Sequence, residues 1–154
     1  MRITAQEEYG LRCLLQLAYL PQGKPVTVKE IAEKEGLSTA YVEKLLRLLG
    51  RAGLVHSVRG IRGGYVMNRA PAQITLGEAM RALGTIQTTG HICSSFTGSK
   101  DTCVHFNGCS IRSIWSVLTS YIQRYLDETT LADLLEDEYV LSSRLAKRLS
   151  EKAT

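Results

Sequence analysis

Apolar positions in the first fifty residues recur at intervals of three and four. Leu11, Leu14, Leu15 and Ala18 predict a helix over 4–20, closed by the Pro-Gln-Gly-Lys-Pro run at 21–25. Thr27 followed three residues later by Glu30 is a capping-box pattern, and it opens a second helix of about eight residues that carries Ile31 and Ala32 inward. Gly36 is placed to close that helix in the left-handed conformation. Ser38 can cap a third helix, in which Val42, Leu45, Leu46 and Leu49 form one apolar stripe, and Gly53 stops it. A short helix, a tight turn and an amphipathic helix make a helix-turn-helix pattern, whose second helix is the one that enters a DNA major groove.

Beyond residue 53 the period changes. Residues 54–58 read as a strand, 59–64 as a glycine-rich turn carrying Arg59 and Arg62, and 65–67 as the returning strand. Thr75 and Glu78 form a second capping box, opening a helix to about Leu83. Residues 84–109 lose periodicity and collect Gly, Ser, Thr and three cysteines. A stripe of Ile111, Ile114, Trp115, Leu118, Tyr121, Ile122, Tyr125 and Leu126 then marks a helix of about five turns. A chain of 154 residues has little left to cover that stripe, so it is expected to be a dimer seam. Thr130 and Asp133 are expected to start a last helix, with a polar, fraying tail from about Ser142.

The predicted class is therefore mainly α with a small β-hairpin, a winged helix-turn-helix domain joined to a long dimerisation helix. The expected boundaries are 1–83 for DNA binding, 84–109 for the cysteine loop, 110–141 for the dimerisation and C-terminal helices, and 142–154 for the tail.

Charge sharpens this picture. The net charge is +4, yet residues 1–70 carry eleven Lys and Arg against six Asp and Glu, while residues 71–154 carry eight against nine. The positive field sits on the half that carries the helix-turn-helix, where it attracts phosphate. Thr39, Ala40, Glu43, Lys44, Arg47 and Arg51 fall within about 140° around helix three, opposite its leucines. Ser38, Thr39 and Tyr41 are placed to approach bases or phosphates, Glu43 to accept from a cytosine amino group, and Lys44, Arg47 and Arg51 to meet phosphates. Arg59 and Arg62, at the tip of a thin hairpin, suit a narrow minor groove. Such a field would also suit any charged helix face, but the turn before helix three and the hairpin after it favour double-stranded DNA as the partner.

No segment approaches the roughly 20 apolar residues of a membrane span, and the start lacks the apolar core of a secretory signal, so a reducing cytoplasm is the expected compartment. In that setting Cys93, Cys103 and Cys109 suggest a metal site, because thiolates favour iron–sulfur clusters and zinc. Their spacing lacks the paired short intervals of common zinc sites. Redox-active or unrelated cysteines remain the competing reading. Cys13, on an apolar stretch of helix one, reads as a core residue. A fourth ligand has to come from His91, His105, Glu7 or Glu8. No catalytic pair, phosphate-cradling loop or cofactor fingerprint is present, which argues against an enzyme.

Three stretches resemble the IscR and NsrR type of winged-helix iron–sulfur regulators over about residues 1–135. They are the Met-Arg-Ile-Thr start, the Leu-Ser-Thr-Ala-Tyr-Val-Glu run at 37–43, and the wing motif at 53–65. Three cysteines ahead of a long helix complete the order. The resemblance implies a homodimeric transcriptional regulator or repressor, whose long helices cross and whose cluster controls operator binding in response to redox, nitric oxide or iron–sulfur status. It assigns base reading to Glu43, minor-groove entry to Arg59, and cluster ligation to Cys93, Cys103 and Cys109. In the IscR branch a histidine three residues after the last cysteine completes the site, and here that position is Arg112. In the NsrR branch an acidic residue from the partner's first helix serves instead. Glu8 stands at that place and is the expected fourth ligand, with His105 second. A two-iron cluster is expected over a four-iron one. The alternative keeps the winged helix and makes the cysteines a thiol switch or a zinc site.

Overall fold

Each of the first helices begins at a side chain that satisfies its free amides, as the computed structural model makes clear; residues 3–84 and 97–151 are described. Helix α1 (Ala5–Ala18) starts at a capping box in which the Thr4 hydroxyl accepts from the Glu7 amide and the Glu7 carboxylate accepts from the Thr4 amide. Helix α2 (Val28–Glu35) repeats the device with Thr27 and Glu30, and ends at Gly36 with φ +66°. Helix α3 (Thr39–Arg51) is capped by the Ser38 hydroxyl. Its stripe of Val42, Leu45, Leu46 and Leu49 is fully buried against Leu14 and Leu17 of α1 and Ile31 of α2. Strands β1 (Val55–Val58) and β2 (Gly64–Met67) form an antiparallel hairpin pairing Val55 with Met67 and Val58 with Gly64.

The hairpin is tied back to the helices at its base. Tyr65 donates to Val26 O at 2.8 Å and accepts from the Val26 amide at 3.0 Å, adding the α1–α2 connection as a third, one-residue rung. Gly64 makes this possible: a β-carbon there would lie 2.4 Å from Val26 O. The side-chain amide of Asn68 also donates to Gly53 O, and its Oδ1 is bonded to the His56 ring, fastening both ends of the hairpin to the end of α3.

After a short 3-10 turn (Pro71–Gln73), helix α4 (Leu76–Leu83) buries Ala79 and Leu83 in the same core. Helix α5 (Ser110–Glu128) meets that body at its C-terminal end, through an Arg81–Asp127 ion pair at 2.8 Å and the bonds Leu76 N to Thr129 O and Leu131 N to Ile74 O. Leu131, 1% exposed, plugs into the core built by α1, α3 and α4.

The C-terminus departs from expectation. Thr130 and Asp133 bond reciprocally at the start of a single 3-10 turn (Ala132–Leu135), and the last helix, α6 (Glu138–Glu151), begins later and covers the stretch expected to fray. Leu141, Arg144, Leu145 and Arg148 recur at helical spacing and are half-buried. Arg144 pairs with both Asp133 (2.9 Å) and Glu136 (3.0 Å). These contacts with the preceding turn are tertiary and offset the polar composition. No helix among the described residues is long and apolar enough to cross a membrane.

Candidate DNA-binding surface and thiol segment

Burying the leucine stripe of α3 leaves Ser38, Thr39, Glu43, Lys44, Arg47 and Arg51 exposed on one face, with Tyr41 half-buried at its edge. Arg59 and Arg62 are exposed at the hairpin tip, on either side of a fully exposed Ile61. The structure therefore brings all nine residues singled out for DNA contact to solvent or its edge, on two adjoining elements. Glu43 and Arg47 stand 3.9 Å apart with both side chains more than half exposed. Such a pair is worth about 0.3–0.5 kcal/mol, so either partner can leave it for a stronger contact at little cost.

Sequence reasoning missed the support behind this face. The Tyr41 ring meets Tyr9 of α1 edge-on, with centroids 6.3 Å apart and planes at 81°. Lys44 lies over the Tyr41 ring at 5.9 Å, and Arg12 over the Tyr9 ring at 5.8 Å. Arg12 is in turn held by Glu35 at 2.6 Å, which also accepts from Gln16. These rings and cations lock α1, α2 and the first turn of α3 together through aromatic and cation–aromatic contacts. Their signal in the sequence is weak, since Tyr9 and Tyr41 lie on different helices and only the fold joins them.

The second site lies just before α5. Cys103 and Cys109 are free thiols and half-buried, Cys109 being the residue that immediately precedes the helix. Between them the chain turns twice, with Phe106 N donating to Cys103 O at 3.0 Å and Gly108 N to His105 O at 3.1 Å. The His105 side chain is exposed, whereas its carbonyl accepts from Arg112 Nη2 at 3.0 Å. The same nitrogen donates to Phe106 O at 2.5 Å, and the guanidinium carbon lies 5.8 Å from the Phe106 ring centre. Cys93 and His91 lie outside the described residues. Among those described, no three His, Cys, Asp or Glu side chains gather closely enough to hold a metal ion.

The donor set fits a thiolate-bound metal centre in part: two unpaired thiols on one short segment, ahead of the positive end of a helix. Further ligands would have to come from the Cys93 stretch and from outside this set. Glu8 is exposed near the start of α1. Cys13 is 0% exposed, and burial, with the Glu35 carboxylate adding, pushes its thiol up to about 11, so it is a protonated core residue.

Residues 3–137 match the profile of the family described as "Rrf2: Iron-dependent Transcriptional regulator". The chain belongs to the Rrf2 family. It is 34% identical over 137 residues to Protein rrf2 of Nitratidesulfovibrio vulgaris, covering 89% of each chain. It is 30% identical over 141 residues to the HTH-type transcriptional regulator IscR of Yersinia pseudotuberculosis, covering 92% of this chain and 83% of that one. Among solved structures it is similar to T. potens IscR (33% identity, TM-score 0.69, 88% and 86% covered). It is equally similar to CymR, the global cysteine regulator of B. subtilis (33% identity, TM-score 0.71, 89% and 99% covered). The Rrf2 assignment makes the chain a DNA-binding transcriptional regulator and not an enzyme, in agreement with the winged-helix class read from the sequence. The structures similar to this chain also include the oxidised form of Staphylococcus aureus CymR (28% identity, TM-score 0.68, 89% and 98% covered).

Proposed function

We propose that this Rrf2-family regulator works in the cytoplasm as a homodimer whose grip on its operator is set by an iron–sulfur cluster, of the two-iron kind, held by Cys93, Cys103 and Cys109. Glu8 of the partner subunit is the proposed fourth ligand and His105 the substitute. The observation that carries the reading is the state of α5. Directly after the two free thiols, Ile111, Ile114, Trp115, Val117, Leu118 and Tyr121 are each 47–65% exposed on a helix that, among the described residues, meets the core at its far end. An apolar stripe of that length left in solvent calls for a matching surface, and a second copy of the same helix supplies one.

In that dimer the two recognition helices reach successive half-sites. Ser38, Thr39 and Tyr41 approach bases or phosphates, Glu43 reads base edges, and Lys44, Arg47 and Arg51 meet phosphates. Arg59 and Arg62 carry the wing into the minor groove. A bound cluster would tie the thiol segment to the opposite α1, and its loss, oxidation or nitrosylation would release that tie. Because α1 is stacked on α3 through Tyr9 and Tyr41, a shift of α1 reaches the reading face and changes the half-site geometry.

The test is anaerobic purification with absorption spectroscopy and with iron, sulfide and zinc quantification, followed by operator binding with and without metal. Cys103→Ala is expected to abolish the visible absorption of the cluster and the metal dependence of binding. Retained colour with a full cluster per chain refutes the ligand assignment. The second reading, a thiol switch or a zinc site, is favoured by the free, half-exposed state of Cys103 and Cys109 and by the likeness to CymR. Iron-free protein whose operator binding responds to thiol oxidation, or to zinc, would establish it.

A further inference from the structure

Arg112 occupies an unfavourable place for a cation. It is the third residue of α5, where the exposed amides and the helix dipole already contribute positive charge. No carboxylate pairs with it among the described residues; its partners are two neutral carbonyls, those of His105 and Phe106, and the face of the Phe106 ring. Its Nε is buried and donates to nothing among the described residues. A buried donor without an acceptor costs stability, and the Nε of this half-buried side chain at a helix start is left for an anion.

The two carbonyls lie midway between Cys103 and Cys109. Holding them fixes the course of the backbone between the thiols before anything binds, which lowers the ordering cost of binding. Neither the Cys103 nor the Cys109 thiol accepts from the unused N–H, so its natural anion is sulfur in a centre that the thiolates hold. Positive charge and hydrogen bonds directed at such sulfurs favour the more negative, reduced state and raise the potential.

We propose that Arg112 is the positioning residue of the thiol segment: its guanidinium clips the backbone between Cys103 and Cys109 to α5, and its buried Nε donates to an anionic sulfur there. The second clause rests on the cluster reading above; the first does not.

The experiment compares full-length wild type, Arg112→Gln and Arg112→Lys. In metal-free, reduced protein, amide exchange at Phe106 and Gly108 is expected to quicken about tenfold in both variants, because neither shorter side chain places a nitrogen where Arg112 Nη2 meets both carbonyls. The melting temperature should stay close to wild type, because the core lies elsewhere. In anaerobically loaded protein, iron loss to a chelator is expected to be several-fold faster in both. The reduction potential should fall in Arg112→Gln, which loses both the charge and the Nε donor, and fall by less in Arg112→Lys, which keeps the charge alone. Unchanged exchange at Phe106 and Gly108 overturns the clip. Unchanged potential in a loaded Arg112→Gln protein overturns the donation to sulfur. If wild type holds no iron–sulfur centre, the cluster reading and the sulfur clause fail together, and the exchange measurement still decides the clip.

Discussion

Replacing Gly64 by alanine puts a number on how tightly the wing is clamped to the helices. The new β-carbon would sit 2.4 Å from Val26 O, 2.6 Å from Val26 C and 3.1 Å from Thr27 N. All three are backbone atoms, which no rotamer change can move aside. Reaching an ordinary 3.4 Å contact requires β2 and the α1–α2 connection to part by about 1 Å. The Tyr65–Val26 bonds at 2.8 and 3.0 Å would then stretch beyond useful range. Two such bonds at about 1 kcal/mol each, plus roughly 1–3 kcal/mol of overpacking strain, outweigh the gain of about 0.4–1 kcal/mol from stiffening the unfolded chain. The net loss is about 2–4 kcal/mol, a fall of roughly 5–15 °C in melting temperature for a chain of this size. Urea unfolding followed by circular dichroism at fixed chain concentration should show a lower midpoint with an unchanged slope. Gly50→Ala is the control, because its β-carbon would stand 3.6 Å from Val55 O inside α3, and it should be neutral or stabilising by up to about 1 kcal/mol. A Gly64→Ala protein within about 0.5 kcal/mol of wild type would refute the clamp.

Three other outcomes are expected. Arg59→Ala should weaken operator binding about tenfold and flatten its salt dependence, measured by fluorescence anisotropy; unchanged affinity and slope would remove the wing from the interface. Leu131→Ala, opening a cavity at a 1% exposed position, should cost about 2–5 kcal/mol in urea unfolding, and a loss under 1 kcal/mol would mean that the segment after α5 is not part of the core. Two carboxylates predict acid sensitivity. The Thr75 amide, opposed by burial and helped by Arg69, holds Glu78 below its usual range, and Asp133, which burial raises, is pulled below its own by the Thr130 bonds and Arg144. Both are depressed on folding, so their stabilisation is complete above the ordinary carboxylate range and fades as pH falls through the lower folded values, from about pH 5 to below 4. Glu78→Gln should lose part of that slope in urea midpoints measured against pH, and an unchanged slope would count against the Thr75 and Arg69 contacts.

The elements legible in the sequence are those whose causes are local. Thr27, Glu30 and Gly36 bracket α2, Ser38 and the leucine stripe define α3, and the change of period after Gly53 marks the hairpin, because caps and periodicities act within a few residues. The long stripe from Ile111 to Leu126 was equally plain. What escaped depends on contacts between distant segments. Helix α6 is held by Arg144 reaching back to Asp133 and Glu136, and polar composition conceals it. The wing glycines read as turn residues, yet Gly64 is required by the close approach of Val26, thirty-eight positions away. At the reading face the exposed charges were foreseeable from the helical wheel, while the Tyr9–Tyr41 stack behind them was not. At the thiol segment the cysteines announced themselves, but the grip of Arg112 on the carbonyls of His105 and Phe106 appears only once the chain has turned.

The seclusion of Cys13 gives the protein an internal clock. With its thiol driven up to about 11 by burial and no surface in contact with solvent, Cys13 carries almost none of the reactive anion at neutral pH. Brief alkylation of metal-free native protein is therefore expected to label the half-exposed Cys103 and Cys109 and to leave Cys13 untouched. The slow later addition at Cys13, resolved by mass spectrometry, times how often the interior opens.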